Sequence, residues 1–179
     1  DVAFHSGLKG TGNGIDVAID LSLPNSLEQV AAFKIDRNVI ALNTGTGINL
    51  SFTGTSGFGY LPIGWTIDEN TFYRDSIRLA GSMKGSSISR NVFAQSVVAE
   101  DGIYLGYGGA STTLTSCMIV GNLYTGDNAT KVAVNIDPAV TLSKARILNN
   151  LPDSANDVTT VAASYTAKLS DRTIVSDGG

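Results

Sequence analysis

The chain has 179 residues, of which 42% are hydrophobic and 16% charged, and its 12 basic against 16 acidic side chains give a net charge of 12 − 16 = −4. Such apolar content at single-domain length supports one continuous core and excludes a disordered chain, and a pI near 4.8 without any run of Lys or Arg argues against nucleic acid or an anionic membrane as partner. The lone Cys117 excludes an internal disulfide or a zinc ribbon, and the lone His5 leaves catalytic triads and multi-His metal sites without material.

Segment 1–29 reads as a capping or connecting stretch. Its Gly7–Gly14 run lacks the residue order of a phosphate loop and is expected to be a flexible loop. Ser26-Leu27-Glu28-Gln29 has the form of a capping box opening one short helix, with Leu27–Phe33 as first strand the equal alternative. No apolar run reaches the ~18 residues of a membrane span. The start at Asp1 without Met and the end at Gly178-Gly179 suggest a piece cut from a longer chain.

From residue 30 a repeat appears. Ile35-Asp36-Arg37-Asn38-Val39-Ile40, Ile67-Asp68-Glu69-Asn70-Thr71-Phe72 and Ile88-Ser89-Arg90-Asn91-Val92-Phe93 share Ile-x-x-Asn-x-[Phe/Ile]. Two weaker copies, Leu114–Ile119 and Leu142–Ile147, keep the apolar positions but carry Cys117 and Ala145 in place of Asn, at successive spacings of 32, 21, 26 and 28 residues. Each copy is followed by an alternating strand: Ile48-Asn49-Leu50, Ile77-Arg78-Leu79, Ile103-Tyr104-Leu105, Val132-Ala133-Val134 and Val158–Val161. A unit this short cannot bury its apolar face alone, but stacked units can share one apolar column.

Strand, Asn turn, strand, loop, strand over residues 30–162 resembles the right-handed parallel β-helix of pectate lyases, polysaccharide epimerases and phage tailspikes. About five coils are expected. An antiparallel sandwich is the alternative, although it gives no reason for Asn at a fixed offset from Ile. Asn38, Asn70 and Asn91 stand where the resemblance implies a buried turn ladder, each Asn taking the left-handed backbone of the turn and hydrogen-bonding its neighbours in the stack. Segment 163–179 breaks the repeat and is similar to the start of a C-terminal domain in phage tail fibres and tailspikes. That resemblance implies a homotrimer burying outward apolar side chains such as Val39, Val92 and Met118.

Stacking turns equivalent outward positions into columns. One column, Arg37, Glu69, Arg90, Ser116 and Lys144, reads as an ion-pair ladder. Another, Asp36, Asp68, Ser89, Thr115 and Ser143, places two carboxylates one coil apart, a spacing that could suit a retaining glycosidase. The third, Asn49, Arg78, Tyr104, Ala133 and Thr159, has Asp75 and Glu100-Asp101 preceding consecutive strands. Asp75, Glu100 and Asp101 are therefore the candidate catalytic acids, with Arg78 as a clamp for a sugar carboxylate and Tyr104, Trp65 and Tyr107, together with Tyr60, as sugar platforms. The plainer alternative is that these acids cap turns. No cofactor and no metal site is expected.

The resemblance implies a phage tailspike fragment, in the virion tail and extracellular when acting, that recognises a bacterial surface polysaccharide and, as an open question, depolymerises it as a glycoside hydrolase or lyase. The alternatives are a non-catalytic structural or receptor-binding module of a tail appendage, and a secreted bacterial lyase or epimerase.

Overall fold

The protein is a parallel β-solenoid. The structure, a computed structural model, describes residues 12–20, 33–43, 45–53, 62–94, 100–109, 111–125, 133–152, 159–161 and 174–175. After β1 (Ile15–Asp20) come β2 (Lys34–Asp36), β3 (Val39–Ala41) and β4 (Ile48–Thr53), and then β5 (Thr66–Asp68), β6 (Thr71–Tyr73), β7 (Ile77–Ala80) and β8 (Met83–Lys84). The path repeats through β9 (Ser87–Ser89), β10 (Val92–Ala94), β11 (Ile103–Leu105) and β12 (Thr112–Thr115), then β13 (Met118–Val120), β14 (Leu123–Thr125), β15 (Val134–Ile136) and β16 (Val140–Ser143). It closes with β17 (Arg146–Leu148), β18 (Leu151–Pro152), β19 (Thr159–Val161) and β20 (Ile174–Val175).

All pairings are parallel and build four sheets: I is β2-β5-β9-β13-β17-β20, II is β3-β6-β10-β14-β18, III is β1-β4-β7-β11-β15-β19, and IV is β8-β12-β16. The sheets follow one another around each turn of the chain, so neighbours in a sheet belong to successive turns. Sheet III takes in β1, from within segment 1–29, in register with β4 from Ile15↔Ile48 onward. Sheet I takes in β20, from within segment 163–179. The suggested cap at Ser26 lies outside the described residues. Among them the one helical turn is Tyr107–Gly109, and no helix is long and apolar enough to cross a membrane.

The core is a set of columns. In the three-residue strands of sheets I and II only the middle side chain points inward, and those of sheet I place one residue type there: Ile35, Ile67, Ile88, Ile119 and Ile147, all buried. Sheet II stacks Ile40, Phe72, Phe93 and Tyr124, with the Phe72 and Phe93 rings 4.8 Å apart and nearly parallel. Sheet III contributes Ile and Leu or Val and Ile in pairs from Ile48/Leu50 to Val134/Ile136. Identical shapes one strand spacing apart nest without voids, which is how a thin solenoid reaches interior packing density.

The corner between sheets I and II is polar and fully satisfied. Asn38, Asn70, Asn91, Asn122 and Asn150 form a ladder in which each side-chain Oδ1 from Asn70 onward accepts from both the backbone N and the Nδ2 of the Asn one turn earlier. Each Nδ2 from Asn70 onward also donates to the carbonyl of the sheet I Ile one turn earlier, at 3.0 Å. The internal members thus use both donors and both acceptor sites of the amide, which is what makes a buried Asn stable.

Two sequence expectations change here. The left-handed residue is the one before each Asn: Arg37, Glu69, Arg90, Gly121 and Asn149 have φ between 52° and 67°. The ladder then continues through Asn122 and Asn150 rather than Cys117 and Ala145, so its spacings are 32, 21, 31 and 28 residues. Cys117 and Ala145 belong to the sheet IV–I corner, in the inward position shared by Trp65 and Ser86 and preceded by left-handed Gly64, Gly85, Ser116 and Lys144.

The column expected as Arg37, Glu69, Arg90, Ser116 and Lys144 is accordingly two different corners. Within the sheet I–II corner the expected pairing of Arg90 with Glu69 one turn earlier is present, Arg90 also meets Asp68, and Arg37 pairs with the adjacent Asp36.

The ladder predicts a distinct mutational pattern. Asn122→Leu and Asn91→Leu should each cost about 2–4 kcal/mol, because the preceding rung loses its acceptor for two buried donors, whereas Cys117→Ala should cost about 1 kcal/mol. Exposed Asn149→Leu should likewise cost about 1 kcal/mol for the left-handed backbone. Urea denaturation midpoints measure all four, and an Asn122 variant no less stable than the Cys117 variant would contradict the ladder.

Candidate functional site

Strand alternation sends the second residue of sheet III strands β1, β4, β7, β11 and β15 outward, which aligns Asp16, Asn49, Arg78, Tyr104 and Asn135, and the register continues this line to Thr160. The column expected to run through Ala133 and Thr159 runs through Asn135 and Thr160 instead, because β15 is Val134-Asn135-Ile136. Ala133 is the buried residue before that strand, equivalent to Gly47, Ser76 and Gly102. This position demands a small side chain. A Cβ on Gly47 would lie 2.9 Å from the Phe72 ring, and one on Gly102 would lie 2.9 Å from the Ala133 carbonyl oxygen.

The three candidate acids lie at the corner between sheets II and III, just before β7 and β11. Asp75 is buried, and its Oδ2 accepts from Asn43 Nδ2 at 2.9 Å and Asn43 N at 3.3 Å. Burial pushes its carboxyl up to about 6; the Asn43 hydrogen bonds oppose the shift and the nearby Glu100 charge adds to it. Asp101 is also buried, and its Oδ2 accepts from Asn135 Nδ2 at 2.7 Å. Glu100 is half-buried: Oε1 meets Arg78 Nη2 at 3.2 Å, and Oε2 accepts from Ser76 Oγ at 3.0 Å. Two of the acids are thus folded into the corner by asparagines, and the third bridges two turns.

Around Glu100 the structure gathers the expected Arg78, Tyr104 and Tyr107. The Arg78 guanidinium lies 4.3 Å from the Tyr107 ring centre and 5.9 Å from that of Tyr104, and the two rings meet edge to face at 5.7 Å. This cation-on-ring packing fixes the arginine in place. The Tyr104 oxygen accepts from the Asp101 backbone N at 3.3 Å, and burial, followed by the Asp101 and Glu100 charges, raises its hydroxyl above the ordinary tyrosine range. Tyr124, absent from the sequence-based set, donates its hydroxyl to the Glu100 carbonyl at 2.8 Å; burial first, then the charge of Asp101, pushes it up to about 12. Its place after Phe72 and Phe93 in the sheet II column is the signal that could have found it.

Trp65 does not join this group. It is 1% exposed at the sheet IV–I corner, stacked on Phe33 at 4.7 Å and edge-on to Phe52 at 5.3 Å. The inward corner position buries the large indole, so it serves the core and offers no platform to a ligand. Tyr60 lies outside the described residues. Asp36 and Asp68 are in register on sheet I, as expected, but the rest of their column is Ser89, Val120 and Leu148 rather than Ser89, Thr115 and Ser143. Lys34 and Arg37 pair with Asp36, and a hydrogen bond from Lys34 is the main cause that lowers its carboxyl below the usual range. Arg90 and Ser89 pair with Asp68. Both acids are thus engaged on a different sheet from Glu100.

No protein-family model, no curated protein and no solved structure matches this chain in sequence or fold.

The raised Asp75 carboxyl predicts a pH dependence of known sign. The folded form binds its proton more tightly than the unfolded chain, so the associated stability is fully present below pH ~4 and is lost as pH rises through about 6. Asp75→Asn, which keeps an acceptor for Asn43, should stabilise the protein by about 2 kcal/mol at pH 7.5 and very little at pH 4. Thermal melts of both proteins across that range measure the difference, and a gain independent of pH would contradict it.

Proposed function

We propose that this chain is a saccharide-recognising β-solenoid module, of the kind carried by phage tail appendages, and that it meets a bacterial surface polysaccharide with the outer face of sheet III. One observation carries the reading: Arg78, Tyr104 and Tyr107 form a fixed cation–aromatic cluster flanked along the same column by Asn49 and Asn135. Aromatic faces and amide or guanidinium donors are the groups that engage sugar C–H faces and hydroxyls. Binding fits better than bond cleavage, because Asp75 and Asp101 are buried and held by Asn43 and Asn135 and so stand away from any sugar on the surface.

Binding of purified capsule and O-antigen polysaccharides, read by biolayer interferometry, tests this. Tyr107→Ala should weaken the bound polysaccharide by about tenfold or more, in line with losing one aromatic contact, with no release of reducing ends by either protein. Unchanged affinity in the variant would move recognition off sheet III, and release of reducing ends would restore the depolymerase reading.

The same proposal includes a homotrimer. Among the described residues the outward strand positions of β3, β6, β10 and β14 in sheet II are Val39, Ala41, Thr71, Tyr73, Val92, Ala94, Leu123 and Thr125, without a charge, and Val39 is 50% exposed. Copies that each carry a net charge of −4 meet most easily through an uncharged face. Met118, expected to join this surface, is on sheet I between Ser87 and Arg146. Sedimentation equilibrium should return three times 18.6 kDa, and a monomer mass at micromolar concentration would contradict the trimer.

A further inference from the structure

We infer that the sheet III surface selects uncharged saccharides, and that Glu100 sets this selectivity by occupying Arg78. This rests on the reading of sheet III as a saccharide-binding face and reverses the sequence-based expectation of an arginine clamp for a sugar carboxylate.

Among the described residues Arg78 is the only cation on the outer face of this sheet. Its Nη2 is already engaged by Glu100, and Glu100 is in turn anchored by Ser76 from the turn before. The Nε edge is buried, without a hydrogen-bond partner among the described residues, so a ligand cannot dock on the Nε–Nη2 side that usually receives a carboxylate in bidentate fashion. Asp16 stands two strands away in the same column, where its Oδ1 accepts from Asn49 Nδ2 at 2.8 Å, so Glu100 is the carboxylate that meets the guanidinium and Asp16 adds a second negative charge on this face. A uronate or sialate carboxylate arriving at Arg78 would have to displace Glu100 or lie beside it, and two carboxylates sharing one cation repel at close range.

A neutral sugar faces none of this. Its hydroxyls can pair with Asn49 and Asn135, and its C–H face can lie against Tyr107, which keeps 43% of its surface open. Rejection through an occupied cation is a specificity device, since it acts against the wrong ligand instead of adding contacts to the right one.

The test uses the full chain against paired probes: oligosaccharides of glucose, galactose, mannose, rhamnose and N-acetylhexosamines, and the same oligosaccharides carrying glucuronic, galacturonic or sialic acid. The wild type should bind at least one neutral probe with an affinity that changes less than about twofold between low and physiological salt. It should bind the acidic counterpart at least about tenfold more weakly. Glu100→Gln keeps an oxygen for Ser76 and frees Arg78 from a charged partner, so it should raise the affinity for the acidic probe, relative to its neutral counterpart, by about tenfold. Adding Arg78→Gln to that variant should remove the gain.

Wild-type binding of an acidic probe as tight as its neutral partner would overturn the inference and leave the saccharide reading standing. So would a folded Glu100→Gln protein that binds neutral probes with no gain for acidic ones. Binding to no probe at all would overturn the saccharide reading and the inference with it. If Glu100→Gln does not fold, the wild-type ratio of neutral to acidic affinity decides alone.

Discussion

Everything else in this molecule depends on the amide ladder at the corner of sheets I and II. A stack of three-residue strands has little intrinsic register, because a short strand can slide along its neighbour at small cost in hydrogen bonds. The Asn ladder removes that freedom. Each Asn fits only beneath another Asn, since its carbonyl needs two donors from the turn before and its amide needs the next Asn carbonyl and an Ile carbonyl. Any slip would bury unsatisfied polar groups on both sides, at a cost well above that of a lost surface contact.

Once the ladder is set, the remaining geometry follows around each turn. The Ile column of sheet I lies three residues upstream of each Asn, and the Phe and Tyr column of sheet II lies two residues downstream. Variation in repeat length, between 21 and 32 residues, is absorbed beyond those strands, while the strands keep their spacing. Sheet III therefore receives its strands in register even when the segments leading to them differ in length. That is how Glu100, from one turn, comes to sit on Arg78 and Ser76 of the turn before.

The solenoid architecture and the first three positions of the Ile column and of the ladder were legible because Ile-x-x-Asn-x-[Phe/Ile] is a demanding pattern with a physical reason behind it. The fourth and fifth positions were missed because the sheet IV–I and I–II corners share one local grammar: an inward aliphatic, an outward residue, a left-handed residue, then an inward residue. Leu114-Thr115-Ser116-Cys117 obeys that grammar as well as Ile119-Val120-Gly121-Asn122 does, and only the latter can extend an amide ladder. In sheet III, Val132-Ala133-Val134 shows the same alternation as the true strand, and the deciding signal was the small residue before each strand: Gly47, Ser76, Gly102 and Ala133. The acids were found by position, but their engagement was not readable, because Asn43 and Asn135 reach them only through the register. Trp65 was assigned to the surface because nothing in its local sequence marks a corner residue as inward.

The most direct test of the ladder register is a pair of engineered cross-links in a Cys117→Ala background. Ser89 and Val120 are cross-strand partners on sheet I in the observed register, whereas a ladder running through Cys117 would set Ser89 beside Thr115. Neighbouring parallel strands bring Cα atoms to about 4.8 Å, within the range a disulfide spans. Ser89→Cys with Val120→Cys should oxidise to a single intramolecular disulfide, measured by intact mass and thiol labelling, while Ser89→Cys with Thr115→Cys should keep free thiols under the same conditions. Cross-linking of the second pair and not the first would contradict the account.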